Sequence, residues 1–228
     1  MAESSQKAIG IKLNWVSPLP PAETDIGNYT RRILPALSEC FQITLWHDQD
    51  IVEPDLYKYA DIKRFPRNDS PGSFWKELNS ADLTCYNIGN NSRFHANIWR
   101  ISQRHPGVVI LHDINLQHLF AGLYRDTLMD KEGYLRKMEL CYGAAGRKTA
   151  VDFWEMRCST ENLAVRFPLT PLAIENALGI VVHTKDGFER LRETARCPLA
   201  YIPLPYAVTG REDSLSRDHR KSKKPYIL

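Results

Sequence analysis

IGIKLNWV (residues 9–16), SPLPPAETDIG (17–27) and NYTRRILPALSEC (28–40) follow one another without a break, and the contrast between them carries the fold. The first is short, apolar and bounded by polar or turn residues, the signature of a strand buried on both faces of a parallel sheet. The second is rich in proline and turns through Asp25-Ile26-Gly27. The third reads as a helix entered from that turn. Strand, loop and helix in this order form the repeating unit of an α/β protein.

Outward from this stretch the same rhythm recurs. Further strand-like runs lie at 41–46, 83–87, 108–111, 179–183 and 199–202, which with the first make six. Helix-like segments lie between them at 94–105, 115–123, 131–143 and 185–196. The economical architecture is a doubly wound, open, mostly parallel sheet with right-handed crossovers. Residues 128–178 depart from the alternation, because no strand intervenes and the pattern is helical nearly throughout. They predict an inserted helical layer. From 211 to 224 the chain is charged and almost free of apolar residues, so it reads as a linker, and Pro225-Tyr226-Ile227-Leu228 reads as the start of another strand. The expected division is one domain over 1–210, with 211–228 leading into a second.

Composition removes several functional classes. The chain has 228 residues, 43% hydrophobic, with a formal charge of +3. That charge is too small for a nucleic-acid binder of this length, and no basic run is interleaved with aromatics. Residues 1–7 are polar and no apolar run approaches the ~18 to 20 residues of a membrane span. Five scattered cysteines, none in a C-x-x-C pair, signal neither a disulfide framework nor zinc, and point to a reducing cytoplasm. The sequons at Asn28, Asn68 and Asn90 carry no weight without secretion.

In an open parallel sheet, ligands bind beyond the carboxyl ends of the strands. The residues that follow each run are 17–28, His47-Asp48, 87–91, His112-Asp113 and His183-Thr184, a dense polar rim. Gly27 lets backbone approach a ligand, and a helix start suits an anionic phosphate. No G-x-G-x-x-G follows the first strand, which removes the main signature of a nicotinamide or flavin enzyme. His112 ends an apolar strand and precedes Asp113, a placement that points an imidazole into the cleft and competes evenly with a simple sheet-end histidine. The His-Asp pairs sit on separate strands with no H-x-x-x-H on a helix, so no metal is assigned. Arg31, Arg32, Arg93, Arg100 and Arg104 read as a solvated face, and Trp75, Trp99, Trp154, Tyr142 and Phe153 as packing residues.

Six pieces, taken together, resemble the family-4-like glycosyltransferases of the GT-B class: WVSPLPPAETDIGNYTRRILPAL from Trp15, YNIGNN from Tyr86 with His95 following, PGVVILHDINLQHL from Pro106, MELCYGAAG from Met138, ALGIVVHT from Ala177 and IPLPY from Ile202. The resemblance implies the N-terminal, acceptor-side, Rossmann-like half of a two-domain GT-B enzyme. It implies retaining transfer from a nucleotide-sugar donor to a glycan or lipid-linked acceptor, with no metal and no cofactor. It also implies a cytoplasmic protein, with peripheral contact at the inner face of the membrane. Carried over residue by residue, it makes His112 the catalytic strand-end histidine and Gly27 the glycine near the donor, with Asp25, Asn28 and Asp113 as further binding residues. This chain has Asp25-Ile26 where the family often has two small residues. The donor-gripping basic residues and paired glutamates of the family belong to a C-terminal domain outside this sequence, so a fragment inactive alone is expected. The alternative is a binding or scaffolding module without chemistry.

Overall fold

The computed structural model describes residues 10–66 and 71–205. The 211–224 linker and the strand expected at 225–228 lie outside the described residues, as does Tyr206. Seven strands form one sheet: β1 (Lys12–Val16), β2 (Gln42–His47), β3 (Asp61–Arg64), β4 (Leu83–Ile88), β5 (Val108–Leu111), β6 (Gly179–Val182) and β7 (Leu199–Tyr201). Every pairing is parallel and the order is β3-β2-β1-β4-β5-β6-β7. This is an α/β, Rossmann-like architecture. The chain builds outward from β1 in one direction and from β4 in the other, so their boundary is the topological switch point, where the loops diverge and leave a crevice.

Helices α1 (Asp25–Cys40), α2 (Gly72–Leu78) and α3 (Ser92–Arg104) follow β1, β3 and β4. One core cluster joins Leu13, Trp15, Ile43, Leu45, Cys85 and Ile110 to Leu34 of α1. A larger one joins Val16, Trp46, Tyr86, Ile88, Val109, Leu111, Ile180 and Val182 to α2, α3 and the segments beyond. Alternate residues of one strand thus enter opposite cores, as the period of two demands. Helices cover both faces because single-handed crossovers leaving β1 and β4 in opposite directions must fall on opposite sides.

The stretch expected to be a helical layer is one. Entered through α4 (Gln117–Ala121) and a π-turn over Gly122–Thr127, both of which lie before the expected 128–178, it contains α5 (Lys131–Trp154), α6 (Thr160–Arg166) and α7 (Thr170–Ala173). Helix α5 reverses at Gly143, whose φ of 64° and ψ of −157° suit only glycine. The helix read as 131–143 therefore continues in a second arm folded back on the first. Tyr134 packs on Phe153 and Trp154 at 5.7 and 6.1 Å, and Tyr142 on Phe167 at 5.1 Å. Trp99 packs on Phe120 and Trp75 on Phe74. These aromatics are packing residues.

All six strand-like runs are strands, and the seventh, β3, was not legible. Its sequence, Asp-Ile-Lys-Arg, is charged because it is an edge strand, and charge protects an edge from foreign pairing. The last helix, α8 (Lys185–Leu191), ends before the expected 196. Helix α1 starts at Asp25, so Asp25-Ile26-Gly27 is its first turn. Thr24 causes this, since its hydroxyl caps the helix by accepting the Gly27 N–H at 2.8 Å.

Candidate active site at the strand-end rim

The rim is held together by side chains that span the switch point. Asn87, fully buried at the end of β4, donates its amide nitrogen to the Val16 carbonyl of β1 at 3.3 Å. Its amide oxygen then faces His112 Nε2 at 3.0 Å. The orientation of the amide follows from the network, because a reversed amide would set two oxygens against each other. His112 therefore carries its proton on Nε2 and presents a bare lone pair at Nδ1. The Asn87 backbone carbonyl accepts from His95 Nδ1 at 3.1 Å. One asparagine thus ties β1, β5 and α3 together.

The β1–α1 loop is braced separately. The side-chain amide of Gln49 exchanges two hydrogen bonds with the backbone of Leu19, at 2.6 and 2.7 Å. The Thr30 hydroxyl bonds Ser17 at 2.8 Å and accepts from the Trp15 indole at 3.1 Å, which seats α1 on the end of β1. Gly27 is buried in this turn. A Cβ there would stand 3.1 Å from Thr24 Oγ1 and 3.5 Å from the Leu19–Pro20 peptide, so the glycine permits loop and helix to close on each other. Its N–H is already taken by Thr24, and the Asp25 carboxylate occupies the first turn. The Gly27 N–H is thus engaged within its own turn, and the glycine serves here to let loop and helix close. Asp25 and Asn28 are exposed on the same turn.

Helix α1 nevertheless meets His112, through Tyr29. The Tyr29 ring lies 4.8 Å from the His112 ring, edge to face, and 5.1 Å from that of His183. His112 and His183 are 4.8 Å apart, so three rings from three elements close a triangle. Asp113, beside His112, accepts the Asn90 N–H at 2.8 Å, and the Asn90 side chain in turn caps α4 through the N–H groups of His118 and Leu119 at 3.0 and 3.2 Å. Gly89 sits where a Cβ would meet Ile26 at 2.5 Å, His95 at 3.1 Å and Asp113 at 3.3 Å, so the β4–α3 loop needs glycine to reach both sides of the rim. Gly27 and His112 therefore share one rim, linked by Ile26 and Tyr29.

Burial sets the electrostatics. It pushes the His112 imidazole down to about 3, with His183 and His95 adding repulsion, and His95 down to about 4 despite its bond to the Asn87 carbonyl. His183 and His47 are lowered by the same cause, and Tyr29 is pushed up to about 12. At neutral pH the ring cluster is uncharged. It exchanges hydrogen bonds and attracts no anion by charge. Among the described residues no three His, Cys, Asp or Glu side chains gather as a metal site, and no helix is long and apolar enough to cross a membrane.

An open cleft of about 930 Å³ lies between the loops after β1 and β2 and the start of α3, lined by Glu23, Asp48, Gln49, Asp50, Arg93 and Phe94 among others; none of the three rings lines it. Asn97 donates to Asp48 at 2.9 Å across its floor. Of the arginines read as a solvated face, Arg31 pairs with Glu53, Arg32 reaches the Pro205 carbonyl, and Arg104 lies over Trp75; Arg93 borders the cleft. The sequence pointed to His112, Asp113 and the 87–91 stretch. It missed Tyr29, His95 and His183 as one cluster, since contacts between rings on separate strands leave no spacing to read. Neither a protein-family model nor a curated protein matches the chain.

Proposed function

We propose that this chain is the acceptor-side, N-terminal half of a retaining GT-B glycosyltransferase, moving a sugar from a nucleotide-sugar donor to a glycan or lipid-linked acceptor. The observation that carries the reading is His112, held at an open strand-end rim as a neutral imidazole with a bare Nδ1 by an asparagine that reaches across the switch point. A neutral acceptor at that place suits a sugar hydroxyl. It accepts a hydrogen bond from the hydroxyl, which keeps its proton, without adding charge beside the reacting carbon, and its fixed tautomer removes the cost of reorganising in the transition state. The cleft after β1 and β2 has room for an acceptor, although His112 is not among its lining residues. Gly27 shapes the loop, while Asp25, Asn28 and Asp113 stand exposed where either substrate reaches them. The positive charge needed by a departing diphosphate is assigned to a second domain.

One observation favours a binding module instead. The carboxylate next to His112, Asp113, already accepts the Asn90 N–H, and among the described residues no carboxylate bonds any of the three rings. The two readings separate in a transfer assay on the complete gene product, screened across nucleotide sugars and acceptors. The transferase reading expects turnover there and none from residues 1–228 alone. It is overturned by turnover from this chain alone, or by donor binding to the complete product with no transfer to any acceptor.

A further inference from the structure

His183 carries an observation the reading above does not use. The residue is only 8% exposed, and its Nδ1 lies 2.7 Å from the Ile202 carbonyl, which accepts and cannot donate. The proton is therefore on Nδ1, and Nε2 is a bare acceptor. That nitrogen is buried and has no hydrogen-bond partner among the described residues. Buried acceptors are almost always paired, so an orphan beside a rim of ordered rings calls for a partner that the described residues do not supply. His112 repeats the arrangement 4.8 Å away, with its proton directed to Asn87 and its Nδ1 lone pair left open. Tyr29 lies against both imidazoles and is half-buried. Its ring also stacks on Trp15 at 6.4 Å, and no hydrogen bond holds its hydroxyl among the described residues.

We propose that His183 is a ligand-recognition residue, which with His112 forms a pair of neutral acceptors under Tyr29 that takes hydroxyl donors of an uncharged polyhydroxylated ligand. The proposal rests on reading the rim as a sugar site and names a contact within it. The chemistry excludes other ligands. Two neutral acceptor nitrogens on rings 4.8 Å apart repel the oxygens of a phosphate or carboxylate. A desolvated ammonium needs a counter-charge, and the neighbouring carboxylate, Asp113, is exposed and engaged with Asn90. Hydroxyls satisfy both lone pairs without burying charge, and the ring faces accept the C–H surface of a pyranose.

The test is nitrogen NMR of the imidazoles in the full 228-residue chain at pH 7.5. The probes are methyl α-D-glucopyranoside, methyl α-D-mannopyranoside, inorganic phosphate and methylammonium. At least one glycoside is expected to shift His183 Nε2 and His112 Nδ1 together and saturably, while phosphate and methylammonium move neither. His183→Phe should weaken glycoside binding about tenfold, ~1.4 kcal/mol. If that variant does not fold, His183→Asn keeps an amide nitrogen for the Ile202 carbonyl, lacks Nε2 and should show the same loss. A glycoside that saturates His112 and leaves His183 unmoved overturns this proposal alone. A rim at which neither histidine responds to either glycoside overturns the sugar-site reading as well, and a His183 response to phosphate or methylammonium overturns the assigned ligand class.

Discussion

The helical layer and the strand-end rim both bury polar side chains, but they differ in what those side chains are left to do. In the layer the accounts are closed. Gln117 donates to the Phe167 carbonyl at 2.8 Å and accepts from the Tyr134 hydroxyl at 3.0 Å, and the Tyr142 hydroxyl accepts the Leu169 N–H at 2.7 Å. At the rim, among the described residues, His183 Nε2 has no partner and His112 Nδ1 is left open. An unpaired buried acceptor costs about 1–3 kcal/mol, and the rim sustains that cost beside a layer that avoids it. Trp75 Nε1 in α2 and Asn115 Oδ1 before α4 are also buried and unpaired among the described residues, so the contrast rests on the position of His183 in the ring cluster.

The sharpest way to break this comparison is in the layer. Gln117→Ala strands the Tyr134 hydroxyl and the Phe167 carbonyl and opens a cavity, so unfolding should come about 4 kcal/mol sooner in a denaturant titration. Glycoside contact at the rim should survive it.

Acid acts on the rim. Its histidines hold folded values below the ordinary 6.5, so as pH falls the unfolded chain binds protons first. Their contribution to stability is complete above about pH 6.5 and is lost as the pH drops toward the folded values of about 4 for His95 and about 3 for His112. For the buried His95 the loss by pH 4 is on the order of 3 kcal/mol. Denaturant midpoints measured between pH 7 and pH 4 should fall accordingly. Replacing His112 with Phe should flatten that slope, whereas Tyr134→Phe in the layer should leave it unchanged.

The smallest effect is the most discriminating. His183→Phe removes an unpaired buried acceptor but also the Nδ1 hydrogen bond to the Ile202 carbonyl, so the two effects oppose each other and stability at pH 7 should stay within about 1 kcal/mol of the parent. Lost stability of the size expected for Gln117→Ala would mean that His183 belongs with the structural networks.

How much of this was legible follows from the same distinction. Buried parallel strands advertise themselves as short apolar runs, and the run ending at Leu111 placed His112 at a strand end. The charged edge strand β3 has no such run. Thr24 was hidden as a cap inside a proline-rich loop, which is why the Asp25-Ile26-Gly27 turn proved to be helix. Asn87 stood within the polar stretch after β4, but its reach to Val16 and His112 depends on strand order, and a sequence does not print strand order. The orphan nitrogen of His183 is visible only once every neighbouring donor has been placed.

The account turns on His112 being there for a ligand's sake. In the complete gene product, His112→Ala should lower the turnover of sugar transfer by about a hundredfold or more while leaving the thermal unfolding midpoint within a few degrees of the parent. An unchanged rate in that variant would contradict the account.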